Sequence, residues 1–162
     1  MVRTNPFHKF ELVRVMKAVK RDRALPDEIP LRDGSVKIGS VDRGNTVRLE
    51  HPCLSGIVSR SHATFARGAN GAWHVTDTNS TNGTFVNGER LSPFTKRSMR
   101  QGDCVTFGDR FILKEGSGGE EGSEKPPRYF QNCYSYVYQR KMKDGHRTTS
   151  FRNGFKCKGQ FL

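Results

Sequence analysis

The feature that most constrains the fold is a series of short β-rich runs, separated by turn-forming residues, along the first 115 positions. Each run combines β-branched and aromatic residues over only a few positions, which is typical of strands. Asn70-Gly71 and Asn87-Gly88 accept positive φ and can close tight hairpins, and Gly102 and Gly108 mark further reversals. This pattern predicts an all-β fold, a sandwich of two antiparallel sheets over residues 7–115. The runs are residues 10–15, 36–38, 47–49, 62–66, 73–77, 84–86, 103–107 and 110–114.

Residues 12–19 leave one alternative open. Leu12, Val15, Met16 and Val19 could share one face of a helix. The same stretch is also a strand followed by a basic loop. Because sustained helical periodicity is absent from the rest of the chain, we favour the strand.

A change in composition at residue 116 marks the clearest boundary. Residues 116–127 read GSGGEEGSEKPP, in which glycine and serine give flexibility and glutamates keep the segment solvated. The proline pair cannot join a helix or a central strand. We therefore predict a flexible linker over residues 116–127.

Residues 128–162 have eight basic residues and a single acidic one, Asp144. Because the segment is short and polar, we predict a disordered tail without a core of its own. An alternative is an arm for single-stranded nucleic acid, in which rings stack on bases and cations contact phosphates. The rings that suggest this alternative belong to Tyr129, Phe130, Tyr134, Tyr136 and Tyr138.

The remaining signals exclude several classes of protein. The net charge is +12, but no apolar run approaches the roughly 18 residues that a membrane span requires. The N-terminal residues lack the apolar region of a secretory signal. The four cysteines form no CxxC pair, so we expect reduced thiols and no zinc site. We expect no cofactor, no metal, no small-molecule substrate and no membrane partner.

Four short motifs follow one another between residues 36 and 108: Ile38-Gly39-Ser40, Ser59-Arg60-Ser61-His62, an Asn-Gly loop within residues 77–88, and the Gly-Asp strand 102–108. In this order, with a Trp-bearing strand between the two loops, they resemble the forkhead-associated (FHA) domain, a family of phosphothreonine-peptide-binding β-sandwiches. The resemblance covers most of residues 7–115. Residues 58–107 are especially similar to FHA domains of nuclear signalling proteins, RING-type ubiquitin ligases among them.

The chemistry of a phosphothreonine explains why these residue types would be needed. The group brings a charge of about −1.5 to −2 and three acceptor oxygens, so its site requires hydroxyl and cationic donors on clustered loops. Ser59, Arg60 and Thr81 are such donors. The resemblance implies that Ser59 bonds the phosphate, that Arg60 supports it, and that Asn82 holds the peptide backbone.

The resemblance also implies structural roles at the site. His62 would bond across the loops and fix Ser59. Gly39 and Gly83 would allow turns that a Cβ would obstruct.

One position departs from the family pattern. The family has Gly-Arg where this chain has Gly39-Ser40, and that arginine contacts the phosphate. Losing a charged hydrogen bond costs about 1.5–3 kcal/mol, which is roughly tenfold or more in affinity. Arg43, three residues further on in the same loop, is the candidate replacement. The alternative is a weakened or phosphate-independent domain.

Other interpretations of the site residues are less well supported. Ser59, His62 and Asp77 are the residue types of a hydrolytic triad, but no Gly-x-Ser-x-Gly elbow surrounds Ser59, and we predict no enzyme activity. We predict that Trp73 packs in the core or on a sheet face. Asn79 and Asn87 are predicted to form turns.

These observations predict a recognition module and not a catalyst. We expect it to bind phosphothreonine-containing proteins and to recruit them in nuclear signalling, with the cytoplasm as the second possible location. The alternatives are a degenerate FHA domain that mediates phosphate-independent interaction or dimerisation, and nucleic-acid binding through the basic tail.

Overall fold

The computed structural model describes residues 9–15, 24–32, 34–108, 111–113, 129–131 and 134–141. Almost all of the regular structure in these ranges is β, with one 3-10 turn at Pro52–Leu54. No helix within them is long and apolar enough to cross a membrane. The strands are β1 (Lys9–Arg14), β2 (Glu28–Leu31), β3 (Ser35–Gly39), β4 (Val47–Arg48), β5 (Ala63–Arg67), β6 (Trp73–Asp77), β7 (Thr84–Val86), β8 (Glu89–Arg90), β9 (Lys96–Ser98), β10 (Cys104–Phe107), β11 (Phe111–Leu113), β12 (Tyr129–Gln131) and β13 (Ser135–Lys141).

Two sheets form a sandwich. One has the order β2-β1-β13-β10-β7-β8, and the other has the order β4-β3-β5-β6-β9. The pairs are antiparallel except for β3 and β4, which run parallel. The prediction of an all-β sandwich is confirmed.

The core lies between the two sheets. Strand β6 shows how the sequence builds it, since buried Trp73, Val75 and Asp77 alternate with half-buried neighbours at the period of a strand. Phe65 of one sheet meets Phe107 of the other edge to face, with ring centroids 6.3 Å apart. Trp73, only 2% exposed, belongs to this core, as predicted.

Tight turns join the strands where the sequence places Asn and Gly. Asn87 and Gly88, between β7 and β8, have φ of 52° and 82°, which is the pattern of a type I′ hairpin turn. Asn79 also has a positive φ, 64°, so both asparagines form turns as predicted.

Strand β1 confirms the extended interpretation of the first hydrophobic run. Leu12 pairs with Ile29 of β2 and with Tyr138 of β13. Met16 and Val19, which the helical alternative would have required, lie outside the described residues.

The C-terminal segment departs most from the sequence prediction. Strand β13 lies inside the six-stranded sheet, paired with β1 on one side and β10 on the other. Tyr134 and Tyr136 are fully buried and Tyr138 is nearly so. The prediction of a disordered tail is therefore wrong for residues 134–141, because their alternate tyrosines complete the core. Residues 142–162 lie outside the described residues.

The boundary at residue 115 is also wrong. Strands β11 and β12 flank the Gly- and Glu-rich segment and pair antiparallel, with Ile112 opposite Phe130. Residues 116–127 themselves lie outside the described residues. Since the chain returns to the same β-structure after them, they connect two strands and do not end the domain.

Candidate functional site

Three loops meet at one end of the five-stranded sheet. Residues 40–46 follow β3, residues 49–62 lead from β4 into β5, and residues 78–83 follow β6. Ile38 pairs with Ala63, and Ala63 pairs with Asp77, so the end of β3, the start of β5 and the end of β6 lie side by side. All nine residues that the sequence assigned to the site lie on these loops or, for Gly39, at the strand end that leads into them.

Ser59 and Thr81 join two of the loops. The Ser59 hydroxyl oxygen accepts a hydrogen bond of 3.0 Å from the Thr81 backbone N–H. Because this oxygen acts as acceptor, its own hydrogen stays available to donate to an anion. Thr81 is exposed, and its hydroxyl forms no hydrogen bond with another described residue. The pair thus presents two hydroxyl donors at the surface.

His62 holds the Ser59 loop from beneath. Its Nδ1 accepts the Ser59 backbone N–H at 3.0 Å, so Nε2 must carry the proton and donates to the Gly83 carbonyl, also at 3.0 Å. The ring is fully buried and meets Phe107 edge to face at 5.6 Å. Burial lowers the pKa of His62, against the opposing effects of the Gly83 carbonyl and the Asp77 charge. These contacts support the structural role that the resemblance implies.

The same contacts exclude a hydrolytic triad. Both ring nitrogens of His62 are occupied by backbone groups, so neither reaches the Ser59 hydroxyl as a base. Both carboxylate oxygens of buried Asp77 bind Ser80, through its hydroxyl and its N–H. The three residues stabilise loops and do not form a catalytic relay.

The nitrogen and the oxygen of the Asn82 side-chain amide differ in their contacts. Its nitrogen donates to the Ile57 carbonyl at 2.9 Å and to the Gly56 carbonyl at 3.3 Å, which ties the loop after β6 to the loop before β5. Its side-chain oxygen is an acceptor with no partner among the described residues.

Two positions at the loop end require glycine, Gly39 because two loops approach closely there and Gly83 because of its positive φ. A Cβ on Gly39 would collide with the carbonyl oxygen of Arg60 and the side chain of Asn45. Gly83 has a φ of 89°, and a Cβ there would lie 2.7 Å from the Arg90 Nε. Both positions need glycine, as the resemblance implies.

The arginines near Ser40 differ in whether their guanidinium groups are paired with other groups. Arg43 and Arg60 are exposed, and neither guanidinium forms an ion pair or hydrogen bond with another described residue. Arg48, by contrast, donates to the Ser40 carbonyl at 3.1 Å and to Glu50 at 2.9 Å, and lies 3.6 Å from Asp42.

The charges around Arg48 stabilise its ionised state. The hydrogen bond that Arg48 donates to Glu50, followed by the charge of Asp42, raises the pKa of Arg48. The bonds from Arg48 and Ser55 lower the pKa of Glu50. This pair is neutralised within the loops, so it adds little net attraction for an anion.

Some site residues were not predicted from the sequence. Asn45 donates from one amide nitrogen to the Val41 carbonyl at 2.8 Å and to the Arg60 carbonyl at 2.6 Å, bridging two loops. The Tyr134 hydroxyl accepts from the His51 N–H at 2.8 Å and donates to the Leu54 carbonyl at 3.1 Å. Nothing in the local sequence marks Asn45. An alternating aromatic pattern was present for Tyr134, but it was interpreted as part of a tail.

Comparison with known families defines the class of protein. Residues 36–108 match the family model of the FHA domain. This part of the chain is an FHA domain, a protein-interaction module whose members bind phosphothreonine peptides. The resemblance stated from the motifs is confirmed.

Parts of two named proteins are similar in sequence to this chain. The chain is 39% identical over 67 residues to the E3 ubiquitin-protein ligase DMA2 of Saccharomyces cerevisiae, an alignment covering 38% of this chain and 13% of that protein. It is 32% identical over 87 residues to the E3 ubiquitin-protein ligase RNF8 of Bos taurus, covering 54% of this chain and 18% of that protein. The chain therefore spans less than a fifth of the length of these relatives.

Solved structures agree on the fold. The chain is similar to the FHA domain of an Arabidopsis thaliana hypothetical protein, with a TM-score of 0.54, 20% identity, and coverage of 82% and 85% of the two chains. It is similar also to the yeast Pml1 splicing factor, with a TM-score of 0.57, 18% identity, and coverage of 83% and 81%.

Proposed function

We propose that this chain binds phosphothreonine-containing peptides at the loop end of its FHA domain. The observation that supports this best is the bond between the Ser59 hydroxyl and the Thr81 N–H, which joins two loops at a surface with free donors. A phosphate placed there would meet the hydroxyls of Ser59 and Thr81, and Arg43 and Arg60 lie on the same loops without an ion pair to any residue that the structure describes. Charge-assisted hydrogen bonds of this kind are roughly twice as strong as neutral ones.

The rigidity of the loops supports the same proposal. His62, Asn82 and Asn45 each bridge two segments of the loop end, so the donors are fixed before a ligand arrives. Pre-organised donors lose less conformational entropy on binding than mobile ones.

Ser59→Ala is the sharpest single test of this site. An array of phosphothreonine peptides, each with its unphosphorylated twin, first supplies a ligand, and calorimetry then measures its affinity for each variant. Loss of a charged hydrogen bond of about 1.5–3 kcal/mol should weaken Ser59→Ala roughly tenfold or more. The matched control is Ser61→Ala, on the same loop, whose hydroxyl faces Thr78 at 3.3 Å and should be nearly neutral.

Two outcomes would contradict the proposal. Equal binding of the phosphorylated and unphosphorylated twins would remove the phosphate-reading function. Unchanged affinity in Ser59→Ala would remove this assignment of the site.

A phosphate-independent interaction module is the second candidate. It is favoured by Ser40, which replaces the family arginine, and by the carboxylates of Asp42 and Glu50 close to Arg48. Since one cation lies between two carboxylates, this cluster keeps a net negative charge, which would oppose a phosphate dianion at that edge of the loops. Binding of a partner at equal strength with and without phosphate would select this candidate.

Nucleic-acid binding has less support from the fold. Tyr134, Tyr136 and Tyr138 are buried in the sandwich and are not available to stack on bases. The remaining route would be electrostatic, through the basic residues beyond 141. A chain truncated after Lys141, compared with the full chain at two salt concentrations, tests this route, because phosphate-driven binding weakens steeply with salt.

The partner we propose is a protein phosphorylated by a threonine kinase in nuclear signalling. This part of the proposal rests on the similarity of residues 58–107 to FHA domains of nuclear signalling proteins. Imaging of the tagged full chain tests the location, and an exclusively cytoplasmic signal would contradict it.

A further inference from the structure

The centre of the six-stranded sheet is buried on both of its faces. The inner face packs against the five-stranded sheet and holds the tyrosines of β13. The outer face points away from the other sheet, and such a face is commonly open to water in an antiparallel sheet. Six outward residues on β1, β10 and β13 are nevertheless no more than 7% exposed: Glu11, Cys104, Thr106, Ser135, Val137 and Gln139.

Strand pairing places these six residues side by side, and we call them the outer strip. Each residue of β13 in the strip lies opposite another member of it, in the pairs Gln139 with Glu11, Val137 with Cys104, and Ser135 with Thr106. Along β13 they alternate with the core tyrosines, so their side chains point to the opposite face.

The outer strip is narrow, and its flanks are open. It is three strands wide and runs along residues 135–139, which is about 10 Å by 13 Å. On its flanks, Pro30 of β2 and Arg90 of β8 are exposed and Phe85 of β7 is half-buried. Strands β11 and β12 pair mainly with each other, and the five-stranded sheet lies on the inner side. The described strands therefore do not account for the burial of the strip.

The strip needs hydrogen-bond donors and positive charge from whatever covers it. The Gln139 amide nitrogen donates to Glu11 Oε1 at 3.1 Å, but the Gln139 side-chain oxygen is buried without a partner among the described residues. The buried Glu11 carboxylate lies 3.7 Å from Lys141 Nζ, and Glu28 shares the same ammonium at 3.8 Å. Two carboxylates and one ammonium leave a negative charge here, and a buried charge is costly unless it is paired.

Residues 142–162 have the composition that the strip needs. They include five lysines and arginines against one acidic residue, Asp144, so they can supply both charge and N–H donors. Their apolar residues include Phe151 and Phe155, which suit the apolar centre of the strip at Val137. The segment continues directly from Lys141, beside Gln139, and it is several times longer than the strip.

The other segments of the chain fit less well. Residues 16–23 join β1 to β2 at the loop end, so they can reach out and back by only about four residues, roughly 13 Å, which is no farther than Glu11. Residues 1–8 have one basic side chain of this kind, Arg3. Residues 114–128 have four glutamates against three lysines and arginines, and those glutamates would repel Glu11.

We propose that the outer strip is the docking surface for residues 142–162 of this same chain. A lysine or arginine of that segment pairs with Glu11, and its phenylalanines pack over Val137. The contact lies on a sheet face and not at the loop end, so it does not depend on phosphopeptide binding.

Cys104 reports whether the strip is covered, because it lies within the strip and a buried thiol is inert. Maleimide labelling of the native full chain, followed by peptide mass spectrometry, measures the rate at Cys104 separately from the other cysteines. We expect slow labelling in the wild type. The double substitution Phe151→Asp with Phe155→Asp should label about tenfold faster or more, since it removes both rings and adds charges that Glu11 repels.

The matched control puts the same two charges on the rival segment. Ala18→Asp with Val19→Asp should keep Cys104 slow to label, and thermal melts should show both double variants folded. Should the aspartate pair at Phe151 and Phe155 unfold the domain, serine at both positions repeats the test.

Three results would overturn the proposal. Fast labelling of Cys104 in the wild type would show that the strip is open. Slow labelling in the folded variants of Phe151 and Phe155 would show that residues 142–162 do not cover it. Fast labelling in the control variant alone would assign the strip to residues 16–23 instead.

Discussion

Among single residues, Arg43 is the candidate cation that would neutralise a bound phosphate. It is exposed and unpaired among the described residues, whereas Arg48 already binds Glu50 and the Ser40 carbonyl. We therefore expect Arg43→Ala to weaken phosphopeptide binding about tenfold or more, and Ser40→Arg to add little, because two cations would compete for one phosphate. Titration calorimetry with one peptide measures both. A clear gain in Ser40→Arg with no loss in Arg43→Ala would show that the pocket lacks its cation.

His62 makes the stability of the domain depend on pH. Burial lowers the pKa of its ring, so the folded protein binds this proton more weakly than the unfolded chain does. Its contribution to stability is complete above the unfolded pKa of about 6.5 and is lost as the pH falls through the lowered folded pKa. Protonation would also place an N–H on Nδ1, facing the Ser59 N–H donor.

Chemical unfolding at pH 7.5, 6.5 and 5.5 measures this effect. The wild type should lose more free energy of unfolding on acidification than His62→Gln, which has no titrating group at this position. The other histidines are common to both proteins and cancel in the comparison. Parallel losses in the two proteins would show that His62 is not the group responsible.

At the scale of elements, β13 supports the loop end of the sandwich as well as the core. The Tyr134 hydroxyl, next to this strand, binds backbone groups of His51 and Leu54 on the loop that leads toward Ser59. Tyr134→Phe keeps the ring and removes both bonds, so we expect a loss of about 1–2 kcal/mol in the free energy of unfolding. Phosphopeptide affinity should fall as well. Urea unfolding and calorimetry check the two effects, and unchanged values would show that the loop does not depend on this contact.

The elements also show what local sequence can and cannot predict. The sequence predicts strands such as β5, β6 and β10 because runs of β-branched and aromatic residues are typical of buried strands. Strands β8 and β9 are short, polar and exposed, and their strand form depends on neighbours that a local pattern does not contain. The candidate site residues followed from ordered motifs, but Asn45 bridges two loops through tertiary geometry, which no local motif encodes.

For the molecule as a whole, β13 decides where the domain ends. It lies between β1 and β10, so its removal would separate β1 and β2 from the rest of their sheet. We expect a chain truncated after Glu115 to be unfolded or aggregated, and a chain truncated after Lys141 to melt cooperatively. Circular dichroism during heating distinguishes them. A cooperative transition in the shorter chain would show that β13 is dispensable.

The position of β13 also has a consequence for synthesis. The side chains of Glu11 in β1 and Gln139 in β13 bind each other, although 128 positions separate them in the sequence. Strand β1 is therefore synthesised well before the strand with which it pairs. At about 5–20 residues per second, roughly 6 to 25 s separate the emergence of β1 and β13 from the ribosome. During that interval β1 has an open edge, and open strand edges pair readily with other chains. The nascent protein should therefore depend on chaperones most strongly in the seconds before residue 141 emerges.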